Sequence, residues 1–472
     1  MENLIYSKIL KEFPGPDKDN FQADISDILL KNRIKIIVLD DDPTGIQTVH
    51  GCLLITNWDE KNLEIAFKDR SPVFYILTNS RSLITEEAEK INKSAVKNVI
   101  RINQYHHFKL IFISRSDSTL RGHFPLEPAA ISDELRSNNI SLNFPVFFIP
   151  CFFEAGRFTI NNIHYFKEDE WLKPVSASEF AKDNVFGYKN SNLFEYIVEK
   201  SGGKTDPDKI SSISIDDIRK KTVPELIEWL NTNKNIEYIV VNAMNYYDLR
   251  KIALSILSLY VKSSSSLVFR TSSSFPKAIG GIKDKPLLLK NDIITGEKGT
   301  GLFIVGSHVK KSTRQLEKLL ENKSVIGFEI DVSKVLEDTE NYLKKIITGI
   351  SGLIKTGVSP VIYTSRKEIR FKDKKEKLNI GKQISGFLVK IVRNLPFSPA
   401  YILAKGGITS NDILKEGLGI EYARVLGQII PGVPVIKTNN KNKYPNLPYI
   451  IFPGNVGDDG SLLKIFEKLK TI

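Results

Sequence analysis

The sequence predicts two α/β domains. Short apolar runs rich in β-branched residues alternate with longer amphipathic stretches, which is typical of strands and helices packed in layers. The alternation stops once, over the charged and glycine-containing segment Lys283–Gly301, and then restarts. A chain of 472 residues is long enough for two large domains. We therefore predict an N-terminal domain over residues 1–285 and a C-terminal domain over residues 298–472.

The N-terminal domain begins with a stretch predicted to be helical. The apolar run Ile34–Leu39 follows and ends in three aspartates, which indicates a buried strand that delivers a polar loop. Helices are predicted at Thr85–Ile102 and Val223–Leu230. The other predicted strands are Cys52–Thr56, Val73–Leu77, Leu110–Ile113, Val146–Ile149, Tyr238–Val241 and Leu267–Arg270.

The C-terminal domain repeats the pattern. The spacing of Ser312 and Gln315 predicts a capping box at the start of a helix. Helices are then expected at Val335–Ile350, Ile380–Leu395 and Leu462–Leu469. The predicted strands are Leu302–Val305, Val325–Ile330, Pro360–Thr364, Ala400–Ala404, Val433–Lys437 and Tyr449–Phe452.

The composition excludes several classes of protein. The longest apolar run, Phe144–Phe153, contains two prolines and is shorter than the ~18 residues of a membrane helix. Two cysteines, Cys52 and Cys151, form no disulfide framework. Lysine and arginine number 67 against 55 acidic residues, a net charge of +12, but no basic stretch alternates with aromatic residues. We expect a soluble cytoplasmic protein that binds neither nucleic acid nor membranes.

The first candidate site is Asp40-Asp41-Asp42-Pro43-Thr44-Gly45. Three carboxylates at the end of one strand repel one another unless a cation or a proton relieves them. One carboxylate could hold Mg²⁺, and another could accept the proton of a substrate hydroxyl. The spacing of Asp40, Asp42 and Thr44 is also similar to the first motif of haloacid-dehalogenase-type phosphatases, in which the first aspartate is a nucleophile.

Two further polar loops directly follow predicted strands. One is Thr78–Ser82, with Arg81, and the other is Ser114–His123, with Arg115, Asp117, Ser118 and Arg121. Arginine binds carboxylates through two hydrogen bonds, and serine and aspartate suit sugar hydroxyls. Together with the aspartates, these loops predict a pocket for a small polyhydroxy acid.

An aromatic run, Cys151–Thr159, contains the charged residues Glu154 and Arg157. The two charges are interpreted equally well as a structural ion pair or as part of a functional site.

The C-terminal domain is rich in glycine where predicted strands end. Gly306-Ser307 and Ala404–Ser410 each lie between a strand and a helix, Gly432 follows Pro431, and Gly454–Asp458 follows the last strand. Glycine in such turns allows backbone N–H groups to approach a phosphate. Several such turns in one domain favour a nucleotide site.

These motifs resemble those of the four-carbon acid sugar kinase family, which includes threonate and erythronate kinases. The family's DDxTG motif is similar to Asp41–Gly45, its SR pair to Ser80-Arg81, and its DSTLRG motif to Asp117–Gly122. The chain departs from the pattern at Asp40, Pro43, residues 46–48 and the Arg115-Ser116 pair, which indicates a divergent branch.

The resemblance continues through the C-terminal half. The family's GSxxxxTxxQ element is similar to Gly306–Gln315, with Ser312 in place of the threonine. Its GGxT motif matches Gly406–Thr409, and its closing glycine loop matches Gly454–Gly457.

The resemblance implies a kinase with a cleft between its domains: the N-terminal domain binds a sugar acid and the C-terminal domain binds ATP. It makes Asp41 and Asp42 candidates for the base and for Mg²⁺ handling. It places Arg81, Asp117, Ser118 and Arg121 in the substrate pocket, to which Arg115 is added from its own position at a strand end. The nucleotide contacts it implies are Ser307, Gly406, Gly407, Thr409, Gly432, Gly454 and Gly457.

The predicted reaction is ATP-dependent phosphorylation of a hydroxyl of a short sugar acid such as threonate or erythronate. One alternative is a haloacid-dehalogenase-like phosphatase that uses Asp40 and Asp42, and another is a sugar-acid-binding protein without turnover. The sequence leaves open the acid, the hydroxyl, the identity of the base and whether the chain forms a homo-oligomer.

Overall fold

The computed structural model describes residues 3–16, 21–233, 235–294, 299–366, 374–454 and 456–470. It divides the chain into two compact units, Met1–Asp284 and Lys285–Ile472. Each unit is built on a sheet that is wholly or largely parallel and is flanked by helices, so the predicted α/β class is confirmed. Part of the predicted linker, residues 295–298, lies outside the described residues, and a short helix occupies Lys290–Ile293.

The strands of the first unit lie close to the predicted positions. The seven strands predicted for this unit agree with the structure to within about two residues at each end. In chain order the strands are β1 Leu4–Ile5, β2 Ile34–Asp40, β3 Leu53–Ile55, β4 Val73–Leu77, β5 Lys109–Arg115, β6 Val146–Ile149, β7 Arg157–Ile160, β8 Ile163–Glu168, β9 Trp171–Pro174, β10 Ile210–Ile213, β11 Tyr238–Val241 and β12 Leu267–Thr271.

The helices of the first unit lie between and after these strands along the chain. They are α1 Tyr6–Glu12, α2 Gln22–Lys31, α3 Glu60–Lys68, α4 Thr85–His106, α5 Leu126–Ser137, α6 Leu193–Lys200, α7 Ile215–Lys220, α8 Val223–Thr232, α9 Tyr246–Tyr260 and α10 Ser274–Ile279.

The main sheet of the first unit is parallel, in the order β10-β11-β6-β12-β5-β2-β4-β3. Every residue of β2 and β4 is buried, as expected for parallel strands that helices cover on both faces. The carboxyl ends of all these strands meet at one edge, which is where ligands bind in such sheets. The fold therefore brings the loops after β2, β4 and β5 to one place.

A second, antiparallel sheet was not predicted. Its order is β1-β9-β8-β7, and Leu4 and Ile5 pair with Leu172 and Trp171. Its strands are short and carry many polar residues, so their hydrophobic alternation is weak. Its strand β7 begins at Arg157, inside the aromatic run Cys151–Thr159 that follows β6.

The second unit contains a mixed sheet in the order β17-β18-β19-β16-β13-β15-β14. Its strands are β13 Leu302–Val305, β14 Val325–Ile330, β15 Ser359–Thr364, β16 Ile402–Lys405, β17 Tyr422–Ile430, β18 Val433–Thr438 and β19 Pro448–Phe452. Its helices are α11 Lys290–Ile293, α12 Lys310–Leu320, α13 Val332–Glu337, α14 Thr339–Lys355, α15 Lys374–Arg393, α16 Gly407–Asp412 and α17 Ser461–Leu469.

Two predictions for this unit were wrong. The helix expected over Val335–Ile350 is two helices, α13 and α14, separated at Asp338. The expected capping box is absent from the described start of α12, because this helix already begins at Lys310 and Ser312 lies inside it. The Ser312 side chain instead bonds to two neighbouring turns, as described below. Within the described parts of the chain, no helix has the length and apolar character that a membrane crossing requires.

Candidate functional site

The three polar loops of the first unit meet at the carboxyl edge of its main sheet. Strand β2 lies between β4 and β5, and Asp40 is in register with both Leu77 and Arg115. The backbone joins the loops further, since Arg81 N donates to Asp41 O and Asp41 N donates to Arg115 O, both over 3.3 Å. Parallel pairing therefore places the aspartates beside the two arginine-bearing loops.

Asp40 and Asp41 are buried and share one arginine. Arg115 Nη1 donates to Asp40 Oδ1 over 3.0 Å and to Asp41 Oδ1 over 3.4 Å. Arg115 Nη2 donates to Ser273 Oγ over 3.1 Å, and Ser116 Oγ donates to Asp41 Oδ2 over 2.5 Å. The side chain of Arg115 is only 4 % exposed. Its position fits support of the aspartates rather than the substrate contact that the sequence suggested.

Asp42 is the most exposed of the three aspartates, with 19 % of its side chain accessible. Arg81 Nη2 lies 2.5 Å from its Oδ2, and Thr44 N donates to its Oδ1 over 2.8 Å. Burial raises the pKa of Asp42, but the Arg81 guanidinium and the hydrogen bonds from Thr44 outweigh it, so the net pKa is below the ordinary value. Asp42 is therefore ionised at neutral pH.

Asp117 links two arginines of the site. Its Oδ2 lies 2.7 Å from Arg121 Nε, and its Oδ1 lies 3.5 Å from Arg81 Nη1. Arg121 also approaches Asp183 at 3.7 Å and stacks on the Phe180 ring. Burial opposes ionisation of Asp117, but the two arginines hold its pKa well below the usual range. Ser118 is mostly buried, and its carbonyl faces His164 Nε2 at 2.8 Å.

Sequence reasoning missed two buried residues that support the arginine-bearing loops, Glu127 and Arg270. Arg270, near the end of β12, lies 2.8 Å from Glu127 Oε2 and donates to Ser114 Oγ over 3.2 Å. Ser80 Oγ donates to Glu127 Oε1 over 2.5 Å. Because β12 and α5 are far from the aspartates in sequence, only the strand order β12-β5-β2 could have indicated these contacts.

The pKa of Asp40 is shifted in the opposite direction to that of Asp42. Burial raises the pKa of Asp40 to about 8, although Arg115 lowers it. Its Oδ2 is buried without a hydrogen-bond partner among the described residues. Gly45 lies directly against this carboxyl group, so that a side chain there would overlap it. A protonated, enclosed Asp40 does not fit the nucleophile of a phosphatase.

Replacing Asp40 by asparagine should remove a pH dependence of stability. The folded chain keeps the Asp40 proton up to about pH 8, whereas the unfolded chain releases it near the ordinary value of 3.8. Stability is thus favoured at low pH and falls as pH rises between these values, by at most about 1.4 kcal/mol per pH unit. We expect the advantage of Asp40→Asn over wild type in urea unfolding to grow from about pH 5 to about pH 8. The exposed control Asp27→Asn should not show this growth, and a constant difference for Asp40→Asn would contradict the assignment.

The glycine turns of the second unit also meet at one sheet edge. Val305 is in register with Lys405, and Lys405 with Phe452. Ser307 N donates to Lys405 O over 3.2 Å, and Gly406 N donates to Phe452 O over 2.9 Å. The turns after β13, β16 and β19 are thus hydrogen-bonded neighbours.

Side chains of α12 hold these turns together. Ser312 Oγ donates to Ser307 Oγ over 2.9 Å and to Gly454 O over 3.2 Å. Gln315 Nε2 donates to Val456 O over 3.1 Å and to Asp458 O over 2.7 Å. Ser312 and Gln315, the two residues of the predicted capping box, therefore fasten the last glycine loop to the helix.

Close backbone approach explains two of the glycines. Gly406 has a φ of +113°, and a Cβ there would lie 3.1 Å from the Ser307 Cβ. A side chain on Gly306 would overlap Thr409. Gly407 begins α16 next to them. Gly432 lies in the β17–β18 turn at the same edge of the sheet, but two strands away from β16.

Basic side chains underlie the turns. Lys405 is fully buried, donates to Pro453 O over 3.0 Å and stacks on the Phe452 ring at 3.9 Å. Burial, with the nearby charges of Lys311 and Arg366, lowers the pKa of Lys405 to about 7. Arg366 donates to the carbonyls of Val305 and Ser307. The edge thus combines positive charge with backbone turns, as a phosphate site requires.

Replacing Lys405 by methionine should remove a pH dependence of stability whose sign is opposite to that of Asp40. The folded chain loses the Lys405 proton near pH 7, whereas an unfolded lysine keeps it to about pH 10. Wild-type stability should therefore gain as pH rises from about 7 to about 10. In urea unfolding, Lys405→Met should lack this gain, and Lys390→Met, at a half-exposed position, should retain it. An unchanged gain in Lys405→Met would show that this lysine does not titrate in the range.

The two sites lie in different α/β units, and each unit matches its own family model. Residues 36–279 match the family model described as the sugar-binding N-terminal domain, and residues 302–462 match the nucleotide-binding C-terminal domain. The chain belongs to the four-carbon acid sugar kinase family.

Solved structures share the fold over nearly the whole chain. Haemophilus influenzae protein HI1011, of family DUF1537, is 17% identical with a TM-score of 0.63, covering 92% of this chain and 99% of that one. A protein from Salmonella typhimurium LT2, described as a proposed tRNA synthase, is 14% identical with a TM-score of 0.65, covering 91% and 98%. A search of curated proteins gave no significant match.

Proposed function

We propose that the protein is an ATP-dependent kinase that phosphorylates a hydroxyl of a four-carbon or similarly short sugar acid, such as threonate or erythronate. The observation that carries this proposal is Asp42, an ionised and partly exposed carboxylate set among arginines at the strand edge of the sugar-binding domain. Such a group can accept a hydroxyl proton while cationic neighbours hold an anionic substrate.

The reaction needs little covalent help from the protein. Asp42 orients the substrate hydroxyl and takes its proton as the hydroxyl oxygen forms a bond to the γ-phosphorus of ATP. The bond between that phosphorus and its bridging oxygen breaks, and ADP leaves. Asp41, held by Ser116 and Arg115, adds a fixed negative charge behind Asp42. We assign it to positioning rather than to proton transfer.

Asp41 and Asp42 do not fit a resident magnesium site as arranged. The Asp41 oxygens are engaged by Ser116 and Arg115, and those of Asp42 by Arg81 and Thr44. Two guanidinium groups would face any cation placed on this pair. In the proposed reaction, magnesium enters as the MgATP substrate.

The other predicted residues retain proposed roles. Arg81, Asp117, Ser118 and Arg121 line the sugar-acid side, and Arg115 positions the aspartates. On the nucleotide side, backbone and hydroxyl groups of the glycine turns would contact the phosphates. These turns contain Ser307, Gly406, Gly407, Thr409, Gly432, Gly454 and Gly457. Gly457 also lines an open groove of about 830 Å³, whose other lining residues include Lys311, Lys464, Glu317 and Asp458.

One experiment distinguishes the kinase from the two alternatives, a phosphatase and a binding protein without turnover. ADP release is measured over a panel of four-carbon acids, and phosphate release from a generic phosphoester is measured without ATP. Acid-dependent ADP release is the expected result. Phosphoester hydrolysis without ATP would instead support the phosphatase, and acid binding with neither reaction would support a binding protein.

A further inference from the structure

Arg157 has no carboxylate partner within the part of the chain that the structure describes. It begins β7, is only partly exposed, and among the described residues no acidic group lies within ion-pair distance of it. Its Nη1 donates to the Ala155 carbonyl, while its Nε is buried with no hydrogen-bond partner in the described chain. The structural ion pair with Glu154 is not formed, since Glu154 accepts from Tyr246 and approaches Lys277.

The face of β7 that carries Arg157 is turned toward the Asp117 loop. Arg157 and Thr159 lie on the same face because side chains alternate along a strand. Thr159 Oγ1 lies 3.0 Å from His164 Nδ1, and His164 Nε2 lies 2.8 Å from Ser118 O. Burial lowers the pKa of Arg157, and the negative charge of Asp117 partly opposes this effect. Arg157 therefore borders the sugar-acid side of the site.

The neighbouring arginines are already paired. Arg81 lies 2.5 Å from Asp42, and Arg121 lies 2.7 Å from Asp117. A partly buried guanidinium is costly unless an anion compensates it, and its planar donors match a carboxylate. Arg157 is thus the arginine of this group whose guanidinium still has N–H donors available to a ligand.

We propose that Arg157 binds the carboxylate of the sugar acid and so makes the site selective for acids over neutral polyols. The assignment rests on the proposed function, because it takes the substrate class from it. With the carboxylate on Arg157, the hydroxyl chain of the acid extends toward Asp117 and Asp42.

The test measures binding without nucleotide, by calorimetry, for Arg157→Gln, Arg157→Lys and the exposed control Arg136→Gln. The ligands are threonate and erythronate and their neutral counterparts, threitol and erythritol. We expect Arg157→Gln to weaken acid binding about 10- to 100-fold while polyol binding is unchanged. Arg157→Lys, which keeps the charge but not the planar fork, should lie between Arg157→Gln and wild type. In turnover assays KM for the acid should rise much more than kcat falls.

Each outcome decides the assignment separately from the kinase proposal. If wild type releases ADP but Arg157→Gln keeps its acid preference, the carboxylate assignment is wrong and the kinase stands. If wild type binds acids through Arg157 but releases no ADP, the kinase is wrong and the carboxylate site stands. Equal weakening of acid and polyol would show that Arg157 only supports the Ala155 turn, and wild type without acid binding would also overturn the assignment. Should Arg157→Gln not fold, Arg157→Lys with unchanged acid preference overturns it.

Discussion

Replacing Asp42 by asparagine is expected to lower kcat of acid-dependent ADP release by about 10²- to 10⁴-fold, the range that a positioned proton acceptor contributes. The substitution keeps the shape of the side chain and the acceptor for Thr44 N, but it removes the charge that faces Arg81. Because the pKa of Asp42 is lowered, the acid limb of the wild-type kcat/KM profile should lie below the ordinary aspartate value of 3.8.

The Asp42 prediction has a direct control. Asp216→Asn removes a carboxylate that is 44% exposed and pairs with Lys220 at a helix surface, so its kcat should equal that of wild type. Circular dichroism of both variants should match wild type. An Asp42→Asn enzyme with wild-type kcat would remove this residue from the mechanism and shift attention to Asp41.

Replacing Arg115 by methionine should cost about 3–5 kcal/mol of unfolding free energy, the range for removing one partner of a buried ion pair. Methionine fills much of the volume, but Asp40 and Asp41 then lose the guanidinium that lies 3.0 and 3.4 Å from them. Ser273 Oγ loses a donor as well. Urea unfolding at neutral pH measures the loss.

Arg136→Met is the matched control for Arg115→Met. Arg136 is 63% exposed and faces Asp133 at 3.4 Å, so its removal should cost no more than about 1 kcal/mol. Because Asp41 then lies buried without its guanidinium, Asp41→Asn should partly rescue the stability of Arg115→Met. Equal stabilities of Arg115→Met and Arg136→Met would mean that the aspartates need no cation.

The sequence predicted those site residues that directly follow the end of a strand. Asp42, Arg81 and Asp117 each follow an apolar run within a few residues, and parallel pairing does the rest. Arg115 is the exception. It is still the last residue of β5, so the pleat places it beside Asp40 and buries it. The last residue of β5 and the first residue of the loop are adjacent, and hydrophobic periodicity does not locate the end of a strand to within one residue.

Long-range partners could not be read from the chain. Glu127 and Arg270 come from α5 and β12, and their pairing depends on the order of strands in the sheet. Ser312 and Gln315 have the spacing of a cap, but the same residues can bond to a loop more than a hundred positions away. Local spacing alone does not distinguish the two uses.

The pairing of Leu4 and Ile5 with β9 has a practical consequence for expression and purification. Deleting these two residues would leave the backbone donors and acceptors of β9 unpaired at an open sheet edge, where such groups recruit strands from other molecules. Arg157 lies in the same small sheet, on β7. Shortened versions of the chain should therefore be judged by aggregation and by acid binding together, before any loss of activity is ascribed to the active-site residues.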